Sequence, residues 1–381
     1  MRKVYLSHNS IISSLGFDSD TVVKKIKDEV SGISLINDKT LFHNPFYGSV
    51  INKTILKHKF EALKTEENYT VLEQMMLLSL NKVIEASNIT IDESVGLIIS
   101  TTKGNIDVLD KTSDFPKSYA YLSRLGKVLR NHFLFKTEPL VVSNACVSGI
   151  LSISVAKRLI HENVYKHVFL VSGDLVSKFV LSGFNSFQAL SNSICKPYSK
   201  DRTGINIGEA IASILITSDT NYLTEESVEV LGEATCNDAN HISGPSRSGE
   251  GLYRCVSAAM KEAAVTSKDI DYISAHGTAT IFNDEMEAVA FNRLDFQNIP
   301  LNSLKGYFGH TLGSSGLVET IIGMHSLKQN TLFYSKGFTS LGVSKPLQII
   351  EKTKQQQLDI FLKTASGFGG ANTALLLKSV S

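Results

Sequence analysis

The 381-residue chain is 43% hydrophobic and 20% charged, with a formal net charge of +1. That composition suits a folded globular protein with a large core or two packed domains, and the near-zero balance gives nucleic acid no hold on the surface as a whole. Four cysteines (Cys146, Cys195, Cys236 and Cys255) lie far apart with no CxxC pair, which argues against zinc and a disulfide framework and fits a reducing cytoplasm.

No apolar segment follows Met1-Arg2-Lys3, and no run approaches ~18 apolar residues, so neither a signal peptide nor a membrane span is expected. Residues 3–6 read as a strand, 11–16 as a loop and 18–30 as a helix capped near Asp18. Residues 36–68 read as irregular. A strong amphipathic helix is expected over 68–86, a strand over 95–100, a loop over 103–118 and a helix over 119–133. The apolar run 140–142 predicts a short buried strand, followed by a helix over 150–164 with apolar cover on most sides. Strands follow at 167–173 and 210–217, with a loop-helix piece at 183–191 and a turn-rich loop at 197–208 between them. The polar stretch 219–226 marks a boundary. It divides the chain into halves, 1–218 and 219–381. The second half repeats the grammar, with strands at 228–234, 270–275 and 301–303, helices at 249–264, 284–292 and 316–327, and closing strands at 361–366 and 372–377. Alternating strands and helices, with strands apolar on both faces, predict α/β layers with covered sheets.

Cys146 falls where the 140–142 strand turns into a helix N-terminus, whose N–H groups and dipole favour a thiolate and a lowered pKa. His276 follows an apolar strand in Ser274-Ala275-His276-Gly277-Thr278-Ala279-Thr280, ahead of Asp284 and Glu287. His310 lies in Lys305-Gly306-Tyr307-Phe308-Gly309-His310. The hairpin Ser366-Gly367-Phe368-Gly369-Gly370-Ala371-Asn372 is rich enough in glycine for an anion nest. Taken singly, each has a plainer reading: a buried structural cysteine, a satisfied turn histidine, a packing turn.

Together, in this order and spacing, they resemble the β-ketoacyl-acyl-carrier-protein synthases, across nearly the whole chain. Lys196-Pro197-Tyr198, Asp201-Arg202, Gly204 and Gly208-Glu209 add to the likeness; Ala210 departs from it. The resemblance implies a thiolase-like fold, two similar α/β halves packed as an αβαβα core, with Cys146 in the first half and both histidines in the second. It implies that Cys146 takes an acyl chain from a carrier's phosphopantetheine thioester, within an oxyanion hole made by the N–H groups of Cys146 and Phe368. His276 and His310 then receive the enolate of decarboxylating malonyl carrier. Lys305 tunes them with an acidic partner expected to be Glu287. Thr278, Thr280, Phe368 and Gly369 contact substrate, and Glu287 and Asp284 support. No metal and no resident cofactor are implied.

The expected partners are an acidic acyl carrier protein, landing on Arg124, Lys127 and Arg130, with Lys53, Lys57 and Lys64 second, and a copy or a related ketosynthase-like subunit in a dimer. Two histidines separate an elongating enzyme from the initiating branch, which has asparagine at the second. Cys146 separates it from an inert chain-length subunit. A thiolase-like enzyme using CoA thioesters is the further alternative. Thr364-Ala365-Ser366 stands where Asn-Ser-Phe is common, so one pocket phenylalanine is absent; this suggests a specialised pathway, such as a polyene or aryl-primed chain.

Overall fold

The computed structural model describes residues 2–65, 67–238, 240–242 and 244–380. Eleven strands form one hydrogen-bonded array: β1 (Tyr5–Ser13), β2 (Val95–Ser100), β3 (Leu140–Val142), β4 (His167–Asp174), β5 (Ala210–Thr217), β6 (Val228–Asn237), β7 (Tyr272–Ser274), β8 (Pro300–Asn302), β9 (Gln348–Ile349), β10 (Ile360–Gly367) and β11 (Ala371–Ser379). Their spatial order is β9-β8-β7-β10-β11-β6-β1-β5-β4-β2-β3. Outward from the middle, each half has the same signs. β1/β5 and β5/β4 are antiparallel, while β4/β2 and β2/β3 are parallel. Likewise β6/β11 and β11/β10 are antiparallel, while β10/β7 and β7/β8 are parallel. The halves join where Tyr5 and Leu6 of β1 lie opposite Glu229 and Val228 of β6.

The major helices are α1 (Ser19–Lys27), α2 (Val71–Ser87), α3 (Leu122–Phe133), α4 (Ser148–His161), α5 (Lys178–Ser186), α6 (Glu250–Ala263), α7 (Ile281–Arg293) and α8 (Ser315–Lys328). Burial sorts them into layers. Leu97, Ile99, Phe169 and Val171 on one sheet face share a core with Leu72, Met76 and Leu80 of α2 and Leu125 and Leu129 of α3. Ile98, Val168 and Leu170, on the opposite face, join Ile150 and Ile153 of α4, and Leu317 and Ile321 of α8, which also meet Phe361, Leu375 and Leu377 of the second half. Ile273, Leu362 and Leu376 then face Leu252 and Val256 of α6 and Phe291 of α7. The outcome is helix, sheet, paired helices, sheet, helix. Strand residues of period two thus feed different cores from opposite faces, which is why these strands are apolar throughout.

Local chemistry sets several ends. Asp18 accepts from the Thr21 N–H at 2.7 Å and starts α1. Thr70 and Glu73 form a reciprocal capping box at α2. Three sequence expectations are corrected. Residues 11–13 continue β1, because Ile11, Ile12 and Ser13 pair with Ala212, Ile211 and Ala210. The stretch 36–68, apart from residue 66, holds a strand at Phe46–Ser49 and a helix at Lys53–Glu61 capped by Asn52. The helix expected within 183–191 instead runs over Lys178–Ser186, capped by Ser177, whose hydroxyl accepts from the Val180 N–H. In each case a cap or a ladder outweighs weak local periodicity.

Candidate active site

The turn between β3 and α4 is tight. Ala145 takes φ 43°, an uncommon angle for a residue with a side chain. Ser148 holds the turn, accepting from the Asn144 N–H at 2.8 Å and donating to the Ala145 carbonyl at 2.7 Å. Cys146 is thereby set at the mouth of α4. Gly367 passes so close that a methyl there would lie 3.1 Å from the Cys146 nitrogen.

The structure brings together seven residues named from the sequence: Cys146, His276, His310, Lys305, Thr278, Thr280 and Phe368. One donor atom each from Cys146, His276 and His310 lies within 4.8 Å of the other two. The imidazoles meet edge to face, centroids 5.2 Å apart. All three side chains line a cavity of about 440 Å³, with Thr278, Thr280, Phe368 and Ser366 in its walls. Thr278 and Thr280 join hydroxyls at 2.8 Å. Lys305 lies just behind, donating to the His276 carbonyl at 2.9 Å. Phe368 stacks on Phe184 of α5 and meets Phe187 edge-on, so three aromatic rings crowd one side of the opening.

Glu287 and Asp284, both on α7, shape the turn that carries His276. Glu287 accepts from the N–H groups of His276 (2.9 Å) and Gly277 (2.7 Å) and from the Tyr198 hydroxyl (2.9 Å). Asp284 accepts from the N–H groups of Tyr198, Thr278 and Ala279. Burial pushes Asp284 up to about 7. The expected Lys305–Glu287 pairing is corrected: Lys305 forms its ion pair with Glu319 on α8, at 2.5 Å. Glu287 is engaged by backbone, as befits a carboxylate below a turn with several inward N–H groups.

Gly369 also differs from expectation. It lies outside the cavity wall, and its N–H donates to the Ile242 carbonyl at 2.7 Å. An anion nest at that position is therefore not formed. Nor is the Cys146 thiol depressed. Burial pushes it up to about 11, against the pull of Lys103, Lys305 and a hydrogen bond from the Phe368 N–H. Desolvation exceeds what one helix end contributes. Burial, reinforced by Lys305, holds both histidines well below their ordinary value, so both are neutral at pH 7. Among the described residues, neither ring nitrogen of His310 nor Nδ1 of His276 has a hydrogen-bond partner. Two neutral imidazoles beside a thiol can donate N–H to a developing oxyanion.

Sequence reasoning missed three groups. Glu319 is the one acidic residue of the apolar helix α8. Lys363 sits inside an otherwise uncharged buried strand. Asp174 ends β4, where Thr101 and Thr102 and the Gly313 N–H donate to it, tying the two halves beside the site. A charge inside an apolar run was the available signal for the first two. Of the expected landing patch, Arg124 stacks over Tyr119 at 3.8 Å and Arg130 pairs with Glu138 at 2.5 Å. That leaves Lys127 as its exposed cation.

Comparison with known proteins finds likenesses along the chain. Residues 228–339 match the family model for the C-terminal domain of β-ketoacyl synthases. A 3-oxoacyl-[acyl-carrier-protein] synthase 2 of Rhizobium meliloti (strain 1021) is 32% identical over 271 residues, 66% of this chain and 63% of that protein, so the match spans just under two thirds of the relative's length. A synthase 1 of Buchnera aphidicola subsp. Baizongia pistaciae is 26% identical over 418 aligned residues, 99% of each chain. A chain of the complex between a ketosynthase and its chain length factor from Xenorhabdus doucetiae superposes with a TM-score of 0.86 at 23% identity, covering 100% of this chain and 98% of that one. The fold is thiolase-like, and the chain is similar over its length to β-ketoacyl synthases, with residues 228–339 matching that family's C-terminal domain.

Proposed function

We propose that this protein is an elongating condensing enzyme that joins malonyl units to an acyl chain held on Cys146. The observation that carries this reading is the convergence of Cys146, His276 and His310 on one cavity. The Cys146 sulfur attacks the acyl thioester of a carrier's phosphopantetheine arm. The oxyanion is received by the N–H groups of Cys146 and Phe368, the bond to the carrier sulfur breaks, and the thiol proton leaves with the carrier thiol. In the second half-reaction the bond to the malonyl carboxylate breaks and CO2 departs. The electron pair becomes the thioester enolate, whose oxygen accepts N–H donation from His276 and His310. Carbon 2 then attacks the acyl carbonyl, the bond to Cys146 breaks with its electron pair on sulfur, the β-ketoacyl carrier is released, and the sulfur takes a proton from solvent to restore the thiol. The cycle uses no metal and no resident cofactor.

The division into halves at 219–226, a cytoplasmic setting, and assembly as a dimer belong to the same reading. Strand β3 lies at the outer edge of the array, with Leu140 exposed, and an unpaired edge supports pairing with a second copy or a related subunit. The decisive assay supplies acyl carrier and malonyl carrier to the purified protein. Intact mass gains one acyl group on Cys146, and a β-ketoacyl carrier appears. Turnover of free CoA thioesters with no carrier requirement would favour the thiolase-like alternative.

A further inference from the structure

Two ammonium groups share one carboxylate beneath this site. Lys305, Lys363 and Glu319 are all buried. Lys305 Nζ lies 2.5 Å from Glu319 Oε1, and Lys363 Nζ lies 2.6 Å from Oε2. Two cations in direct contact with one carboxylate are a costly arrangement in the interior, with no obvious return in stability. The same ammoniums gather the chain leaving β7. Lys363 donates to the carbonyls of Ser274 (3.1 Å) and Ala275 (3.3 Å), and Lys305 to that of His276 (2.9 Å). Lys363 stands opposite Ser274 in the parallel β10/β7 ladder, so its side chain starts beside the segment it holds.

Of the surrounding charges, buried Glu287 acts on both lysines and offsets part of this positive charge. On the His276 side, Glu287 faces the backbone N–H groups of 276 and 277, and Asp284 those of 278 and 279. Toward His310 lie Lys103 from the loop after β2, and His276 itself. Asp174 is engaged by Thr101, Thr102 and Gly313, and Cys146 is held as the neutral thiol. Burial lowers both imidazoles, and Lys363 adds to Lys305 in the same direction for each.

We infer that Lys363 is a positioning residue of the condensation half of the cycle. From β10 it fixes the segment that presents His276, and its charge keeps both imidazoles as neutral N–H donors and favours the enolate they receive. This rests on the condensing reading above.

Two replacements separate the tether from the charge. K363M removes both and leaves Glu319 balanced by Lys305; K363Q removes the charge but keeps a donor for the carbonyls. In both, the acid limb of the kcat profile for condensation moves to higher pH by about one unit, as expected for loss of a nearby buried cation. K363M, but not K363Q, also slows malonyl decarboxylation at pH 8, by about tenfold. The rate of Cys146 acylation stays within about twofold in each. A wild-type acid limb in K363Q overturns the charge role, and wild-type decarboxylation in K363M at pH 8 overturns the tether.

A folding failure of either variant is covered by the wild-type protein. Labelled histidine resonances of His276 and His310, assigned with H276A and H310A, stay in the neutral form down to pH 5.5; titration near 6.5 overturns the inference. Absence of any condensation by the wild-type protein counts against the condensing reading instead, and leaves the resonance test standing.

Discussion

The two halves build the same joint and use it differently. In each, a short parallel strand runs into a central helix: β3 into α4, and β8 into α8. The helices have 14 residues apiece and pack against each other. In the first half the joint is residues 143–147, a single tight turn with Ala145 strained at φ 43°. In the second it is residues 303–314, long enough for a turn of helix at Lys305–Phe308 and a 3-10 turn at Leu312–Ser314. The short joint can aim one side chain and aims Cys146. The long joint brings Lys305 and His310, and α8 behind it supplies Glu319. One architecture therefore yields the proposed nucleophile on one side and a charged, neutral-imidazole pocket on the other, the difference residing in the length of one connection.

The most damaging way to break this division is at the short joint. Cys146→Ala removes the only acyl acceptor in the proposed cycle, so condensation falls on the order of 10³-fold or more. Intact mass shows no acyl adduct, while the melting temperature changes little. An adduct that persists elsewhere refutes the assignment. At the long joint, His310→Ala removes one of the two proposed enolate donors and slows condensation by about 10²- to 10³-fold. Acylation of Cys146 continues, so the acyl-enzyme accumulates. If acylation and condensation fall together, the halves do not divide the labour as described.

The contact between the joints comes next. A methyl on Gly149 would lie 2.8 Å from the Gly313 carbonyl oxygen and 2.9 Å from the Leu317 nitrogen. Neither backbone atom can swing aside as a side chain would. Gly149→Ala therefore destabilises the fold by about 1–3 kcal/mol, read by denaturant midpoint. It also lowers condensation more than acylation, because it moves His310 relative to Cys146. A midpoint equal to wild type would show that the helices are free to slide.

These joints were unequally legible in the sequence. Cys146, His276 and His310 carry sharp signals, since each follows an apolar strand and stands among small residues. Their neighbours in space are far apart in the chain, and there pattern reading runs out. Glu287, on the same helix as Asp284 and close to His276 in sequence, was the natural partner to assign to Lys305. The real one, Glu319, lies a turn into α8, where an acidic residue looks only like an oddity in an apolar helix. The expected thiolate followed from placing Cys146 at a helix mouth; burial, a tertiary quantity, reverses it. Local pattern does not extend the first strand to residues 11–13, because these gain their structure from pairing with β5, and the ladder partner lies some 200 residues on.

The smallest effect sharpens the comparison in its own terms. The group at the short joint is raised by burial, and the two imidazoles of the second half, His310 at the long joint and His276 after β7, are lowered. Below pH 6.5 the unfolded chain takes up protons that buried His276 and His310 refuse, so stability is lost as pH falls. Above the ordinary thiol value of 9.0, the unfolded chain releases a proton that folded Cys146 retains up to about 11, so stability is lost as pH rises. Comparison with Cys146→Ala isolates the second term: the wild-type melting temperature falls more steeply than the variant's above pH 9, and the two curves run parallel between 7 and 8.5. Iodoacetamide gives an independent reading, because the thiolate is the reacting form. Its rate at Cys146 should still be climbing at pH 9.5. A plateau by pH 8 would mean that the helix end and Lys103 outweigh burial after all, and that the first half presents a resting thiolate to the neutral imidazoles of the second.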